Sequence, residues 1–426
     1  MHAESSPSSP PLRDAPTRGA AFWRLATAAS AVLFLLVHLE LTVKRPDRAL
    51  FTFDSAEYAI AGRELARTGR LGTTFVLPDE LGATSRLGLP RVPPFPLLVG
   101  HPLVPILNGA VFALAGPRPE LTLVPSGVAY VMVVLLAGAL AARLSGSPAT
   151  GLAAALATAA SPHLLYFAVE GLTELPFAAA LLGGLLLSRR LDEPRVPLLL
   201  GVVLGIGHMA RPIMAPLLPV WLVAVVLAVP RGRRLRAAGG LALGFVPFAA
   251  ALGAYKWITA GHPLADVARY NFLTHLAPEF APIRVHRMLQ PPAPMPWMLE
   301  HPGAVLAKIA RFLPDLGGHA FAQAGALGAV ALATLFWPAA NAGEGRVRRI
   351  LLGLAAMMIL LVTLSLPSRR YLVPLLPALF AVGVAALAVA ARRIGLPRLP
   401  AVGLCFAAAL FVSGVPTLRD WRWAWR

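Results

Sequence analysis

Asp54 heads FDSAEYAIAGRELARTGRLG (residues 53–72), a charge-rich, helix-like stretch that follows the first strongly apolar segment of the chain. Glu57 comes three residues later, with Tyr58 beside it. A carboxylate at a helix start is held in one place, as a general base must be. The plainer account is an N-cap, worth about 1 kcal/mol, with Glu57 in the capping-box position; the two roles are compatible. Glu170 and Glu174 lie four residues apart in YFAVEGLTELPF, so they share a face if one helix runs through both. Arginines recur in apolar surroundings, as Arg211 in HMARP and as Arg369-Arg370-Tyr371 in SRRYL. Guanidinium groups hold phosphate through paired, charge-assisted hydrogen bonds; interfacial anchoring is the alternative. His101 opens HPLVPILNGAVFALAG (101–116), beside Pro102. No HExxH or CxxC pattern and no nucleophile-plus-base motif is visible. The chemistry on offer is acid–base work beside an anion.

The elements that position these groups are apolar. Of the 426 residues 57% are hydrophobic and 14% charged, against about a quarter charged in soluble chains. Apolar windows of membrane-crossing length fall near 24–43, 121–142, 149–168, 171–188, 196–210, 213–229, 237–256, 317–337, 350–366, 371–391 and 399–415. The expected fold class is an all-α polytopic membrane protein of about eleven transmembrane helices. The net charge of +18 suggests nucleic acid in a soluble protein; here arginine-rich cytoplasmic connections account for it. With the N-terminus inside, those connections carry Arg143, then Arg189, Arg190 and Arg195, then RGRRLR at 231–236, then Arg346, Arg348 and Arg349, and finally Arg392, Arg393 and Arg398. Arg211 and Arg369–Arg370 then fall outside, against that rule. The one cysteine, Cys405, allows no intramolecular disulfide.

Residues 1–20 read as a disordered cytoplasmic tail before an uncleaved first span, 21–416 as one transmembrane domain, and 417–426 as a basic aromatic tail. Two outward segments, 44–120 and 257–316, are long enough to carry function. Within the first, 54–68 reads as a surface helix with Tyr58, Ala61 and Leu65 on one face, Arg63 and Arg67 off it, and Gly69 as its stop. The 99–116 stretch reads as an interfacial or re-entrant helix, because a crossing there would put the later arginine clusters outside. The second segment mixes His262, Asp266, Arg269, Tyr270, His275, Arg284 and His286 with no zinc spacing; these are ordinary loop residues, or some line an acceptor cleft.

The order of a first span, FDSAEYAIAGRELARTGRLGT, HPLVPILNGAVFALAG and then SPHLLYFAVEGLTELPFAAALLGGLLLSRR (161–190) resembles the GT-C membrane glycosyltransferases. The branch it resembles includes the aminoarabinose transferase of lipid A and the protein mannosyltransferases. The resemblance implies a sugar taken from a polyprenyl-phosphate carrier and passed, with inversion, to a lipid, polysaccharide or protein acceptor on the outer face. It implies a multi-pass protein of the bacterial inner membrane. Asp54 matches the family's first-loop acid, the general base; Ser55 stands where many relatives have a second acid. His101-Pro102 matches the polar residue and proline of the second surface helix, and Glu174 matches the acid near the fourth span, with Glu170 as competitor. The expected carrier-phosphate ligands are Arg370, Arg211, His101 and Arg369, with Glu57, Tyr58, Glu170 and Tyr371 as secondary candidates. No cofactor is assigned, and a divalent Mg²⁺ or Mn²⁺ held by Asp54 and a second acid is left open. The rival reading is a transporter or flippase of a lipid-linked saccharide, which would place charges near the bilayer midplane in repeated halves.

Overall fold

A computed structural model of the chain describes residues 18–43, 53–74, 93, 95–97, 101–264, 267–288, 290–334, 339 and 342–396. The expected span 399–415 with Cys405, the tail 417–426 and most of the N-terminal tail lie outside the described residues, as does Asp266. The described chain is almost wholly helical. Helix α1 (Arg18–Val43) is followed by α2 (Phe53–Thr68), the two-residue strands β1 (Gly72–Thr73) and β2 (Phe95–Pro96), and α3 (Leu103–Ala115). Then come α4 (Leu123–Ser145), α5 (Pro148–Ala159), α6 (Pro162–Glu170), α7 (Glu174–Leu187), α8 (Val196–Ala210), α9 (Met214–Ala228) and α10 (Arg234–Ala260). Short helices α11 (Pro282–Arg287) and α12 (Pro294–Glu300) precede α13 (Pro302–Ala333), α14 (Ala342–Leu364) and α15 (Leu376–Arg393).

By length and composition, four helical stretches among the described residues can cross a membrane: Pro119–Ser145, Arg231–Ala260, Ala342–Leu364 and Arg369–Arg393. There are up to six if two bent pairs each count as one, α5 with α6 bent by 62° and the halves of α13 bent by 95°. The expectation of eleven took every apolar window as a separate straight span. Window 149–168 is instead the α5–α6 pair, with Pro162 opening the second helix. Helices α8 and α9 have only 15 residues each, about 22 Å of rise against a hydrocarbon core of about 30 Å.

The core is built where small residues let helices approach. Ala-rich α5 packs on α4 and α15, with Ala153, Ala154 and Ala155 fully buried. Tyr130 of α4 donates its hydroxyl to the carbonyl of Ala159, 2.7 Å away, at the end of α5. That bond satisfies a terminal carbonyl that the helix leaves open.

The first outward segment folds against this core. Tyr58 and Ala61 of α2 are buried while Arg63 and Arg67 face out, and Gly69 ends the helix at φ 70°, as the pattern suggests. Asp54 is helical, inside the first turn of α2 rather than capping it, and Glu57 is buried. Helix α3 is a 13-residue helix packed along α2. The two touch at glycines: a Cβ on Gly62 would stand 2.6 Å from Cβ of Asn108, and one on Gly109 2.8 Å from Leu65. Tyr255 of α10 pins the β ribbon, accepting from the N–H of Leu97 at 2.8 Å and donating to the carbonyl of Leu71 at 2.9 Å.

Candidate active site

Asp54 and Glu174 meet through an arginine. Ser55 donates its hydroxyl to the carbonyl of Glu170 at the end of α6, which fixes the first turn of α2, and Asp54 with it, beside the α6–α7 junction. That junction is a break. Gly171 takes φ 68°, which a residue with a Cβ adopts only under strain, and α7 begins afresh at Glu174. No single helix runs through Glu170 and Glu174, because the left-handed glycine intervenes, so they do not share one continuous helix face. Glu174 is turned inward, 1% exposed; Glu170 stays half-buried.

Arg370 lies in the 3₁₀ segment Arg369–Leu375 that leads into α15. Its Nε donates to Glu174 Oε1 at 2.5 Å, and its terminal nitrogen donates to Asp54 Oδ2, also at 2.5 Å. Arg211 follows α8 in extended conformation, its N–H bonded to the carbonyl of Gly207. Its guanidinium reaches the same Glu174 oxygen at 3.1 Å and stacks 4.6 Å over the ring of Tyr371. The result is an alternating row, Asp54–Arg370–Glu174–Arg211, with two negative and two positive charges. Such neutrality is what permits Glu174 and Arg211, 6% exposed, to remain charged out of water. Arg370 is only partly covered, its side chain 31% exposed, and two of its five N–H donors are used by the carboxylates.

Two polar atoms at the start of α7, Glu174 Oε2 and the Thr173 hydroxyl, are buried without hydrogen-bond partners among the described residues. Buried polar atoms are normally satisfied, so both are suited to a ligand hydroxyl or a water. Tyr58 lies close by, and burial pushes its phenol well above the usual value, with Asp54, Glu57 and Glu174 adding to the rise. It stays a neutral phenol at any working pH.

Arg211 and Tyr371 also line a cavity of about 310 Å³, together with His101, Arg269, Asn271 and Ser365. Phe177, Pro212, Ile213, Leu361 and Val362 form its apolar side. His101 packs edge-on to Tyr58, 6.5 Å between ring centres. Thus Asp54, Glu174, Arg370, Arg211, Tyr58, Tyr371 and His101 converge. Arg369 does not join the row: its side chain is 58% exposed and faces Asp315 at 3.8 Å. Glu57 is buried on the neighbouring side of α2.

A divalent cation does not fit the donor set as it stands. Arg370 occupies the space between the two carboxylates, and among the described residues no three His, Cys, Asp or Glu converge. Both acids are committed to a guanidinium partner instead.

One positioning residue escaped the sequence reading. Lys308 of α13 is 2% exposed and donates to the carbonyls of Phe272, Leu364 and Ser365 at 3.3, 2.8 and 2.7 Å. It ties the second outward segment to the end of α14, and Phe272 and Ser365 are cavity walls. The available signal was a single lysine within the apolar run PGAVLAKIARF.

No protein-family model matches the sequence, and no curated protein matches it. Solved structures do. ArnT from Cupriavidus metallidurans, bound to undecaprenyl phosphate, aligns over 86% of this chain and 60% of its own, with 15% identity and a TM-score of 0.51. The archaeal oligosaccharyltransferase AglB from Archaeoglobus fulgidus, in complex with an inhibitory peptide and a dolichol-phosphate, aligns over 94% of this chain and 55% of its own, with 14% identity and a TM-score of 0.57. The chain thus spans little more than half the length of these neighbours. At such identities the likeness is one of fold: the chain has the fold of the GT-C membrane glycosyltransferases that its sequence resembles.

Proposed function

We propose that this chain is an integral membrane glycosyltransferase that moves a sugar from a polyprenyl-phosphate carrier to an acceptor on the outer face, with inversion. The observation that carries the reading is Arg370, bridging two carboxylates beside a cavity that a second arginine lines. A carrier phosphate entering that cavity competes with Asp54 for Arg370, and Arg211 and His101 add donors on the cavity side. Asp54, released from the guanidinium, accepts the proton of an acceptor hydroxyl or amine. The acceptor atom attacks C1 of the sugar, the bond from C1 to the phosphate oxygen breaks, and the carrier phosphate leaves with the bonding pair. Arginine stabilisation of that departing charge is the larger electrostatic contribution. Glu174, held by Arg211, positions a sugar or acceptor hydroxyl with its second oxygen.

The outer-face, inner-membrane placement draws support from charge. α7 and the 3₁₀ turn after it run from Glu174 to Arg189 and Arg190, the 3₁₀ segment and α15 from Arg370 to Arg392 and Arg393, and α14 from Arg346 to the cavity. In each the arginine-rich end is opposite the site, as the positive-inside rule requires of an outer-face site. The test is donor consumption. Purified protein is mixed with lipid-linked sugars extracted from its own cells, and glycosyl prenyl phosphate is followed by mass spectrometry. The wild type consumes it, and Asp54→Asn binds it but turns over at least about 100-fold more slowly. Undiminished turnover by Asp54→Asn would remove the base from this account.

A further inference from the structure

Helix α6 carries a stripe that the transfer chemistry above does not use. Leu164, Leu165, Phe167, Ala168 and Val169 are buried, at 5% exposure or less. His163, Tyr166 and Glu170, at steps of three and four residues, share the remaining face. Tyr166 is 46% exposed, and the other two are half-buried. A carboxylate turned to hydrocarbon is costly, so a face of His, Tyr and Glu suits water rather than lipid tails.

The stripe leads to the charged row. At its end the carbonyl of Glu170 accepts the Ser55 hydroxyl, which sets α6 beside the first turn of α2 and Asp54. The phenol of Tyr166 is within electrostatic reach of Glu170, Arg370, Glu174 and Asp54. Phe167 packs edge-on against its ring, 5.3 Å between ring centres, and steadies it. None of the three stripe residues is among the described residues that line the cavity of Arg211 and Tyr371. Displacement with inversion puts the attacking group and the departing phosphate on opposite sides of C1. With the phosphate in the Arg211 cavity, an acceptor reaches Asp54 from elsewhere, and the open face of α6 is such an approach.

We propose that this stripe binds a saccharide acceptor, its ring stacked on Tyr166 and its attacking hydroxyl reaching Asp54. A pyranose has a face of C–H groups and an edge of hydroxyls. A flat aromatic ring covers the first, and the second is left to water and to the carboxylates of Glu170 and Asp54 at either side. Peptide sites commonly use an unpaired strand edge or an apolar groove, and the stripe offers neither. That the sugar is an acceptor rests on the transferase reading; that Tyr166 binds it does not.

The test is saturation-transfer NMR on the full chain in a sugar-free detergent. The probes are methyl β-D-glucopyranoside, methyl α-D-mannopyranoside and a capped serine tripeptide. The wild type is expected to transfer saturation to the C–H face of at least one glycoside and not to the tripeptide. Tyr166→Ala should weaken glycoside binding roughly tenfold, the upper worth of one aromatic contact. Tyr166→Phe, which keeps the ring, should retain it, and undecaprenyl phosphate should bind all three proteins alike. If Tyr166→Ala fails to fold, Tyr166→Leu, which keeps apolar bulk without a flat face, must show the same loss. Silence from both glycosides, or equal transfer in wild type and Tyr166→Ala, overturns the subsite. Transfer to the tripeptide that Tyr166→Ala abolishes gives the stripe to a protein acceptor and overturns the saccharide. Glycoside binding lost with Arg370→Ala places the sugar on the donor side and overturns the assignment. Failure of undecaprenyl phosphate to bind the wild type counts against the transferase reading and leaves the glycoside comparison intact.

Discussion

Glu174 is the residue on which the site's stability turns. One of its oxygens receives both Arg370 and Arg211, and its other oxygen is unsatisfied. Glu174→Ala leaves the buried Arg211 guanidinium without a counter-charge, a loss of about 3–5 kcal/mol for a buried pair, seen as a lowered thermal unfolding midpoint in detergent. Glu174→Gln keeps the shape and one acceptor, so it should fold better than Glu174→Ala and still be impaired in turnover. If the two variants unfold alike, the charge of Glu174 is not what holds Arg211. Glu174, Arg211 and Arg370 were legible in the sequence as charges that apolar surroundings do not tolerate idly, and Asp54 as the acid at the head of a charge-rich helix. Their mutual pairing was not, because they are separated by up to 316 residues. The sequence groups Arg369 behind Arg370 as a phosphate ligand, but adjacent residues in a 3₁₀ turn point different ways, and only Arg370 reaches the carboxylates.

At the scale of elements, the site depends on two joints. The first is the contact of α2 with α3 at Gly62 and Gly109. Gly62→Ala forces a Cβ to within 2.6 Å of Asn108, and overpacking of this kind destabilises by about 1–3 kcal/mol. The variant should unfold several degrees lower and show reduced turnover from the displacement of Asp54; unchanged values would mean that α2 does not depend on α3. The second joint is Lys308. Removing its ammonium by Lys308→Met takes that donor from the half-buried carbonyls of Phe272 and Leu364, while Ser365 keeps the Thr274 hydroxyl, at about 1–3 kcal/mol for each group left unsatisfied. Hydrogen exchange over residues 269–280 should quicken, and exchange that stays slow would contradict the latch. Helix α2 could be read in advance because its apolar face, charged face and terminal glycine agree. The break at Gly171 could not, since a lone glycine in an apolar run is compatible with an unbroken helix. The second outward segment, read mostly as ordinary loop, supplies Arg269, Asn271 and Phe272 to the cavity.

For the whole molecule, the arginines sort by end. Those at the end opposite the site cap helices: Arg392 donates to the carbonyl of Ser145 at 2.5 Å, and Arg346 to that of Ser188 at 2.9 Å. Cations at helix C-termini are favoured there by the helix dipole as well as by the membrane rule. Arg67, 73% exposed at the end of α2, and Gly232, with open space around it, should therefore lie on opposite sides. In a Cys405→Ser background, an impermeant maleimide should label Arg67→Cys in intact cells and Gly232→Cys only after lysis. The opposite pattern would invert the molecule. Composition made the helical membrane class plain from the start. The number of spans was less legible, because hydropathy windows do not register a 62° bend or a 15-residue helix.

The most direct measurement is the affinity of purified protein for undecaprenyl phosphate, compared among wild type, Arg370→Ala and Asp54→Asn. Arg370 is held by Asp54 until phosphate takes its place, so the two substitutions should act in opposite directions. Arg370→Ala should weaken binding roughly 10- to 100-fold, the worth of a hydrogen bond to a charged group. Asp54→Asn should bind at least as tightly as wild type, since it removes the carboxylate that competes with the phosphate. Binding indifferent to Arg370→Ala, or lost with Asp54→Asn, would contradict the account.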